Sequence, residues 1–254
     1  MNKELTSNEL KLIASLKMKK FRDLHRLYLI EGEHLISEFI KSGRKGLKFV
    51  IMRHDYENES IIDNQSENIT YKVNRIQFDK LSDTKSPQGI LAVVKISEEK
   101  KPMHAKLIVA LDSINDPGNL GTILRTCYWF GIDSIIIGMN SADVYNTKTI
   151  RASQGALFFV NFKAEADLNL ELNSFKDNGY NVFLTTLSGN VISDKTFSIG
   201  KSVIVFGNEA KGISKELINN KEYKQIKIKS FTGCESLNVS VSAGIVLNEF
   251  KRLF

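Results

Sequence analysis

The sequence predicts an α/β protein in two parts: a small α/β unit over residues 1–96, then a larger domain over residues 106–254 built on a parallel sheet. Three observations carry that prediction. After residue 106, short continuous apolar runs alternate with helix-length stretches, the pattern of strands buried on both faces and joined by helical crossovers. Between the parts, residues 97–105 hold Glu98, Glu99, Lys100, Lys101 and Pro102 with little to bury, and read as a linker. Finally, 254 residues that are 42% hydrophobic and 25% charged suit one large or two ordinary globular domains and exclude a disordered chain.

The elements follow in order. Asn8–Met18 carries Leu10, Ile13, Ala14 and Leu16 near helical spacing, with Ser7 as its cap. Leu27–Ile30 reads as a short strand, Glu33–Lys41 as a helix stopped by Gly43, and Leu47–Met52 as a strand. Arg75–Leu81 is a short helix and Ile90–Ile96 a β-rich run that closes the first unit. In the second part Leu107–Leu111 is an apolar strand, and Pro117 opens a helix to about Phe130, stopped by Gly131. Ser134–Ile137 is a strand, Thr147–Ser153 helical, Leu157–Phe162 extended, and Leu168–Asn178 helical with Gly179 as its stop. Val182–Thr186 and Val203–Phe206 are further strands, and Leu237–Leu253 is a long apolar helix.

Several function classes drop out. No run of about 18 apolar residues is present, so no membrane span is expected. Met1–Leu5 is charged, unlike a secretory signal, so a cytoplasmic protein is expected. Cys127 and Cys234 lack CxxC spacing and clustered histidines, so they are expected as reduced thiols and no metal is expected. The net charge of +6 matters less than its placement. Lys17, Lys19, Lys20, Arg22, His25 and Arg26 lie together, with Lys41, Arg44, Lys45 and Lys48 not far behind. Such cations can neutralise phosphates and release counterions; they can equally be a solvated helix face.

Three segments are more polar and more specific than structural loops require. Asn115-Asp116-Pro117-Gly118-Asn119-Leu120-Gly121-Thr122-Ile123-Leu124-Arg125-Thr126 follows a strand and opens a helix, at the edge where parallel sheets bind ligands. Arg125 lies four residues after Gly121 and six after Asn119, which lets it share a side with the Asn119 end. There it can clamp a phosphate or act on a hydroxyl, or simply pair with a carboxylate on the helix surface. The second segment, Phe206-Gly207-Asn208-Glu209-Ala210-Lys211-Gly212-Ile213-Ser214, has glycines that allow close backbone approach and a serine placed to cap the next helix. It has neither a P-loop ending nor a dinucleotide fingerprint. The third is Gly233-Cys234-Glu235-Ser236-Leu237-Asn238-Val239-Ser240-Val241-Ser242, with more polar residues than capping explains.

In order and spacing these segments resemble the three motifs of the SpoU (TrmH-like) branch of the SPOUT RNA methyltransferases. The stretches Lys20-Phe21-Arg22, Leu29-Ile30-Glu31-Gly32-Glu33-His34-Leu35 and Ser86-Pro87-Gln88-Gly89-Ile90-Leu91-Ala92-Val93 are similar to the substrate-binding domain that precedes the catalytic domain in many members, so the likeness spans nearly the whole chain. It implies a parallel-sheet SPOUT domain with a trefoil knot, S-adenosylmethionine as cofactor, and a homodimer that completes the site. It further implies transfer of a methyl group to a ribose 2′-hydroxyl of RNA. The separate N-terminal domain tilts the expectation toward ribosomal RNA; tRNA, or a non-catalytic RNA-binding protein on the same fold, are the alternatives. An ordinary dinucleotide-fold enzyme is disfavoured by the missing GxGxxG.

By motif position, Arg125 matches the family's catalytic arginine, and Asn119, Glu209, Ser236 and Asn238 match polar positions that orient it and the target nucleotide. Gly207, Ile228 and Leu237 are implied to touch the cofactor largely through backbone, with Thr185, Thr186 and Leu187 along its other edge. Lys19, Lys20 and Arg22 are implied to grip RNA, and Arg151, in Arg151-Ala152-Ser153-Gln154-Gly155-Ala156, to contact a phosphate. Lys229 stands where the family often has Pro, and Gly121-Thr122 replaces a frequent Gly-Ala.

Overall fold

The computed structural model describes residues 4–58, 69–97, 105–192 and 200–253, and the chain forms two compact units. Most of the linker read over 97–105 lies outside the described residues.

The first unit joins Met1–Glu98 to Tyr145–Phe158. It opens with α1 (Ser7–Ser15), capped by Thr6 in a reciprocal box with Glu9, so the cap falls one residue before the expected Ser7. The helical stretch read over 8–18 stops early, and a second helix follows, α2 (Lys19–His25). Then come β1 (Leu27–Glu31), α3 (Glu33–Lys41), β2 (Leu47–Arg53), β3 (Ile69–Val73), α4 (Arg75–Leu81) and β4 (Ile90–Lys95). The sheet order is β1-β4-β2-β3, antiparallel across its first two pairs and parallel between β2 and β3. Ile13, Leu16, Leu29, Ile51, Phe78, Leu81 and Leu91 form a core on one side of it.

Helix α6 (Thr147–Ser153) and a 3-10 turn at Ala156–Phe158 complete this unit, although the sequence reading placed them in the 106–254 domain. Side-chain packing decides their place. Tyr145 meets Tyr28 at 4.7 Å, Phe158 meets Phe39 edge-on at 5.3 Å, and Arg44 Nε donates to the Phe158 carbonyl at 2.6 Å. The extended segment expected over 157–162 is therefore split: a 3-10 turn first, and a strand only from Asn161.

The second unit holds Glu99–Val144 and Phe159–Phe254. Its strands are β5 (Leu107–Leu111), β6 (Ser134–Gly138), β7 (Asn161–Ala166), β8 (Asn181–Val191), β9 (Ser202–Phe206) and β10 (Lys224–Lys227). All pair in parallel, in the order β10-β8-β9-β5-β6-β7. The central strands β5, β6 and β9 are buried along their whole length, as continuous apolar runs require. Its helices are α5 (Pro117–Trp129), α7 (Leu168–Asp177), α8 (Lys215–Ile218) and α9 (Val239–Leu253), with α9 packed on α5.

The chain runs from β5 outward through β6 and β7, then returns to fill the other side with β8, β9 and β10. The order reverses between β5 and β9, so the loops that follow those two strands meet at a crevice on the carboxyl edge.

Candidate active site at the carboxyl edge of the parallel sheet

The loops after β5 and β9 are tied together at that reversal. The Asp112 amide donates to the Phe206 carbonyl (2.8 Å), and the Asp112 carboxylate accepts the Ser214 amide (2.7 Å). Ser113 takes a left-handed backbone conformation (φ 59°), turning the chain toward α5. Asp116 caps α5 by accepting the Asn119 amide at 2.9 Å, and Pro117 holds the first helical position.

Residues 207–214 form a tight loop. Asn208 and Gly212 exchange both backbone hydrogen bonds, and the Asn208 carboxamide oxygen accepts the amides of Ala210 and Lys211. Its Nδ2 donates to the Ser113 carbonyl at 2.8 Å. A Cβ at Gly207 would overlap the Gly212–Ile213 peptide, lying 2.7 Å from the Gly212 oxygen, so only glycine fits there.

Onto this frame the structure places three motif side chains in a single hydrogen-bonded chain. Asn119 Nδ2 donates to Glu209 Oε1 (2.9 Å), and Asn238 Nδ2 donates to Asn119 Oδ1 (3.0 Å). The Asn238 Oδ1 in turn accepts the Ser240 amide (2.9 Å) and hydroxyl (2.6 Å), fixing the start of α9. Glu209 also accepts the backbone amides of Asn115 and Asp116, each at 3.4 Å. Partial burial pushes the Glu209 carboxyl up, but its donors, Asn119 first among them, outweigh burial and hold it below the usual glutamate range. One side chain from each of the three sequence segments is thus joined, across 119 positions of chain.

Arg125 and Ser236 are not in that chain. Arg125 is exposed on α5 and makes no hydrogen bond or ion pair among the described residues. Six residues along a helix is about 600°, so its side chain leaves α5 roughly 120° around from Asn119 rather than on the same side. Ser236 is exposed, and its carbonyl accepts a weak bond from the Cys234 thiol at 3.5 Å. Helix α9 begins at Val239, two residues later than expected, which leaves Leu237 and Asn238 in the preceding loop.

The residues expected at the cofactor lie along the edges of three neighbouring strands. Strand β8 is broken in register against β10: Gln225 pairs with Leu184, but Ile226 pairs with Asn190. Residues 185–189 therefore bulge from the sheet, and bulges re-aim side chains at such edges. Thr185 and Thr186 are partly buried there, Thr185 donating to the Val205 carbonyl (2.8 Å) and Thr186 to Gln225 Oε1 (3.3 Å). Leu187 projects, 73% exposed. A Cβ on Gly189 would lie 2.5 Å from the backbone of Gln225 and Ile226. Gly207 is buried at the end of β9, Ile228 follows β10, and Leu237 is half-exposed. Unclaimed apolar side chains beside closely packed glycine backbone are the surroundings that a purine with a short charged tail requires. Sequence reasoning misses Asp112 and the 185–189 bulge, of which Gly189 is a visible sign, and gives Asn208, within the second polar segment, no role of its own.

Of the residues expected to meet RNA, Lys19 and Lys20 are exposed, with Lys19 paired to Asp23 at 2.9 Å. Arg22 requires correction. It is 2% exposed, and its Nη1 donates to the carbonyls of Leu16 (2.8 Å) and Lys17 (2.7 Å) just past the end of α1, so it ties helices together and presents no surface charge. Arg151 lies in the first unit, 3.9 Å from Asp83, with Nη1 buried and unpartnered. Both cysteines are free; Cys127 is buried in α5, where burial raises its thiol pKa. Among the described residues no His/Cys/Asp/Glu group could hold a metal, and no helix is long and apolar enough to cross a membrane.

Fold and site together define an α/β enzyme whose ligand crevice lies at the reversal of a parallel sheet. The model of the SpoU rRNA methylase family matches residues 106–248, and that of the MRM3-like substrate binding domain matches residues 7–92. The chain belongs to the SpoU rRNA methylase family.

Among its relatives, the 23S rRNA (guanosine(2553)-2′-O)-methyltransferase RlmP of Bacillus subtilis is 31% identical over 91% of this chain and 91% of its own length. A putative TrmH-family RNA methyltransferase structure from Porphyromonas gingivalis superposes with a TM-score of 0.86 at 28% identity, covering 98% of this chain and 99% of that one. The AdoMet-bound rRNA methyltransferase of Sinorhizobium meliloti does so with a TM-score of 0.85 at 27% identity, over 98% and 97%.

Proposed function

We propose that this chain transfers the methyl group of S-adenosylmethionine to a ribose 2′-hydroxyl of ribosomal RNA. The observation that carries the reading is the Glu209–Asn119–Asn238 chain at the β5/β9 reversal, beside the crevice edged by Thr185, Thr186, Leu187, Gly207, Ile228 and Leu237. Bound there, the cofactor supplies a methyl group already activated on a sulfonium.

The protein's own task is alignment and management of one proton. A ribose hydroxyl is a weak nucleophile near neutral pH, so holding it in line with the methyl carries much of the rate. Arg125 serves by positioning the hydroxyl and its neighbouring phosphate, with the proton leaving by way of that phosphate. Asn119 and Asn238, held by Glu209, orient the target nucleotide, and the exposed Ser236 hydroxyl reaches it from the same loop as Asn238.

Three further parts belong to this reading. The trefoil knot is one, carried by membership of the SpoU family. A homodimer is supported by exposed apolar side chains on the paired helices α5 and α9, Trp129 (83%) and Val241 (51%) among them. A cytoplasmic site of action completes the reading. Lys20 and Arg151 are retained as RNA contacts; Arg22, turned inward, and Lys19, paired to Asp23, are not.

Labelled S-adenosylmethionine incubated with the protein and total RNA from cells lacking the gene tests the reaction. The expected product is a single new 2′-O-methyl position in rRNA; label in tRNA alone, or in base rather than ribose, overturns it.

A further inference from the structure

The basic segment at residues 17–26 is not the phosphate clamp its composition suggests. Arg22 is turned inward onto the end of α1, Lys17 Nζ donates to the Ser82 carbonyl, and Lys19 is held by Asp23. The outer face of α2 has a different chemistry. Lys20, Phe21, Leu24 and His25 fall at i, i+1, i+4 and i+5, one continuous strip of a helix. Leu24 is 67% exposed, and Met18, at the cap, 58%.

The rings of Phe21 and His25 lie nearly parallel, 12° between planes with centroids 6.5 Å apart. That spacing is at the long end of the roughly 4.5–7 Å range for aromatic pairs, so the two rings are loosely held against each other. Lys20 Nζ sits over the Phe21 ring at 5.9 Å. Arg26, exposed with a left-handed backbone (φ 53°), ends the helix beside His25.

We infer that α2 is a base-stacking platform for an unpaired stretch of the substrate RNA: bases lie on Phe21, His25 and Leu24, and phosphates on Lys20 and Arg26. This rests on the reading of the chain as an RNA methyltransferase. Parallel planar rings and exposed apolar carbon flanked by cations suit a strand with open π-faces and a charge on every residue. They do not suit a duplex, whose bases are hidden. A helix face mixing apolar and charged groups also fits a protein partner, but α2's single acid, Asp23, is already neutralised by Lys19, leaving the strip wholly cationic toward a polyanion.

The probes are an oligouridylate of roughly ten nucleotides, within the span of known single-strand sites, and an RNA duplex of equal length. Replacing both rings, Phe21→Ala with His25→Ala, should weaken oligouridylate binding about ten-fold while leaving the slope of log K against log salt unchanged. Duplex binding should stay as in the wild type. Lys20→Gln with Arg26→Gln should instead make that slope shallower by about 1.4, at roughly 0.7 per phosphate on a single strand. Phe21→Trp with His25→Tyr should restore affinity, which guards against mere misfolding of the alanine variant.

Equal loss on both probes, no loss, or no rescue by the aromatic pair overturns the platform. Methyl transfer to rRNA by the wild type, assayed separately, tests the enzymatic reading. An active wild type with an inert α2 sinks only the platform; an inactive wild type with an intact α2 effect sinks only the reaction.

Discussion

The two units use similar residues to opposite ends. In the first, the polar motif residues point inward and hold loops. The Glu31 carboxylate accepts the Ser82 and Thr84 hydroxyls and the Asp83 amide, Gln88 Oε1 accepts the Glu33 amide (3.0 Å), and Arg22 caps α1. In the second, Asn119, Glu209 and Asn238 satisfy one another at an exposed edge, and Arg125 and Ser236 stand free for a ligand among the described residues. A motif rich in charge and hydrogen-bonding groups is therefore not by itself a site. What separates the cases is whether any motif side chain is left over once the loops are tied. The mixed sheet of the first unit has many loop ends to tie. In the second unit the motif side chains tie loop backbone as well, Glu209 the amides of Asn115 and Asp116 and Asn238 that of Ser240, but Arg125 and Ser236 have side chains with no such task among the described residues.

Four substitutions break or sharpen that contrast. The largest effect is expected at Arg125→Ala, with methyl transfer falling by about a thousandfold, the scale of losing a group that acts mainly in the transition state. Thermal stability and cofactor binding should stay close to wild type, because the side chain holds nothing else in place; a large fall in melting temperature would place Arg125 among the structural residues. Next comes Gly207→Ala, whose methyl group must displace the Gly212–Ile213 peptide. A loss of about 2–3 kcal/mol, as for overpacking, is expected in denaturant unfolding, together with weakened cofactor binding by calorimetry.

Arg22→Ala should cost about 2 kcal/mol through carbonyls left without a donor. It should not change the salt dependence of RNA binding; a shallower slope would return Arg22 to the RNA surface. The smallest effect concerns pH. The folded pKa of Glu209 lies below its unfolded value, so its contribution is complete above the ordinary glutamate range, near about 4.3. It is lost as pH falls through the depressed folded value. Glu209→Gln should therefore flatten the acid limb of a melting-temperature profile below that range while changing little at neutral pH. An unaltered acid limb would mean that the carboxylate's hydrogen bonds do not stabilise the loop.

The legibility of the sequence tracks where burial comes from. Apolar runs such as Leu107–Leu111 and Ser134–Ile137 announce strands because both faces of a parallel sheet are covered. Strand β10, Lys-Gln-Ile-Lys, is an edge of four residues with one buried, too short to show a period, whereas β3, Ile69–Val73, does alternate and is a strand the sequence reading leaves out. The break between α1 and α2 leaves no proline or glycine behind; it is made by Arg22, whose guanidinium serves carbonyls five and six residues back. Thr147–Ser153 reads as the next helix of a doubly wound series, and helical periodicity cannot say which sheet a helix covers. In the site, the identity of the polar residues was readable. Their grouping was not, since the Asn119–Asn238 contact depends on where two loops 119 positions apart come to rest.

The discontinuous first unit also bears on synthesis. When residue 98 leaves the ribosome, this unit is still missing α6 and the turn that receives Phe39 and Arg44. Another 60 residues (158 − 98) must be translated before it can close, a delay of roughly 3–12 s at about 5–20 residues per second. During that interval β5, α5 and β6 are already emerging, so the nascent chain begins its second sheet before its first unit is finished. A fragment ending near residue 98 would lack the ring partners that Tyr28 and Phe39 have in the whole chain. The first unit therefore has its full set of packing partners only once the chain has been made past Phe158, well beyond the apparent end of its first domain.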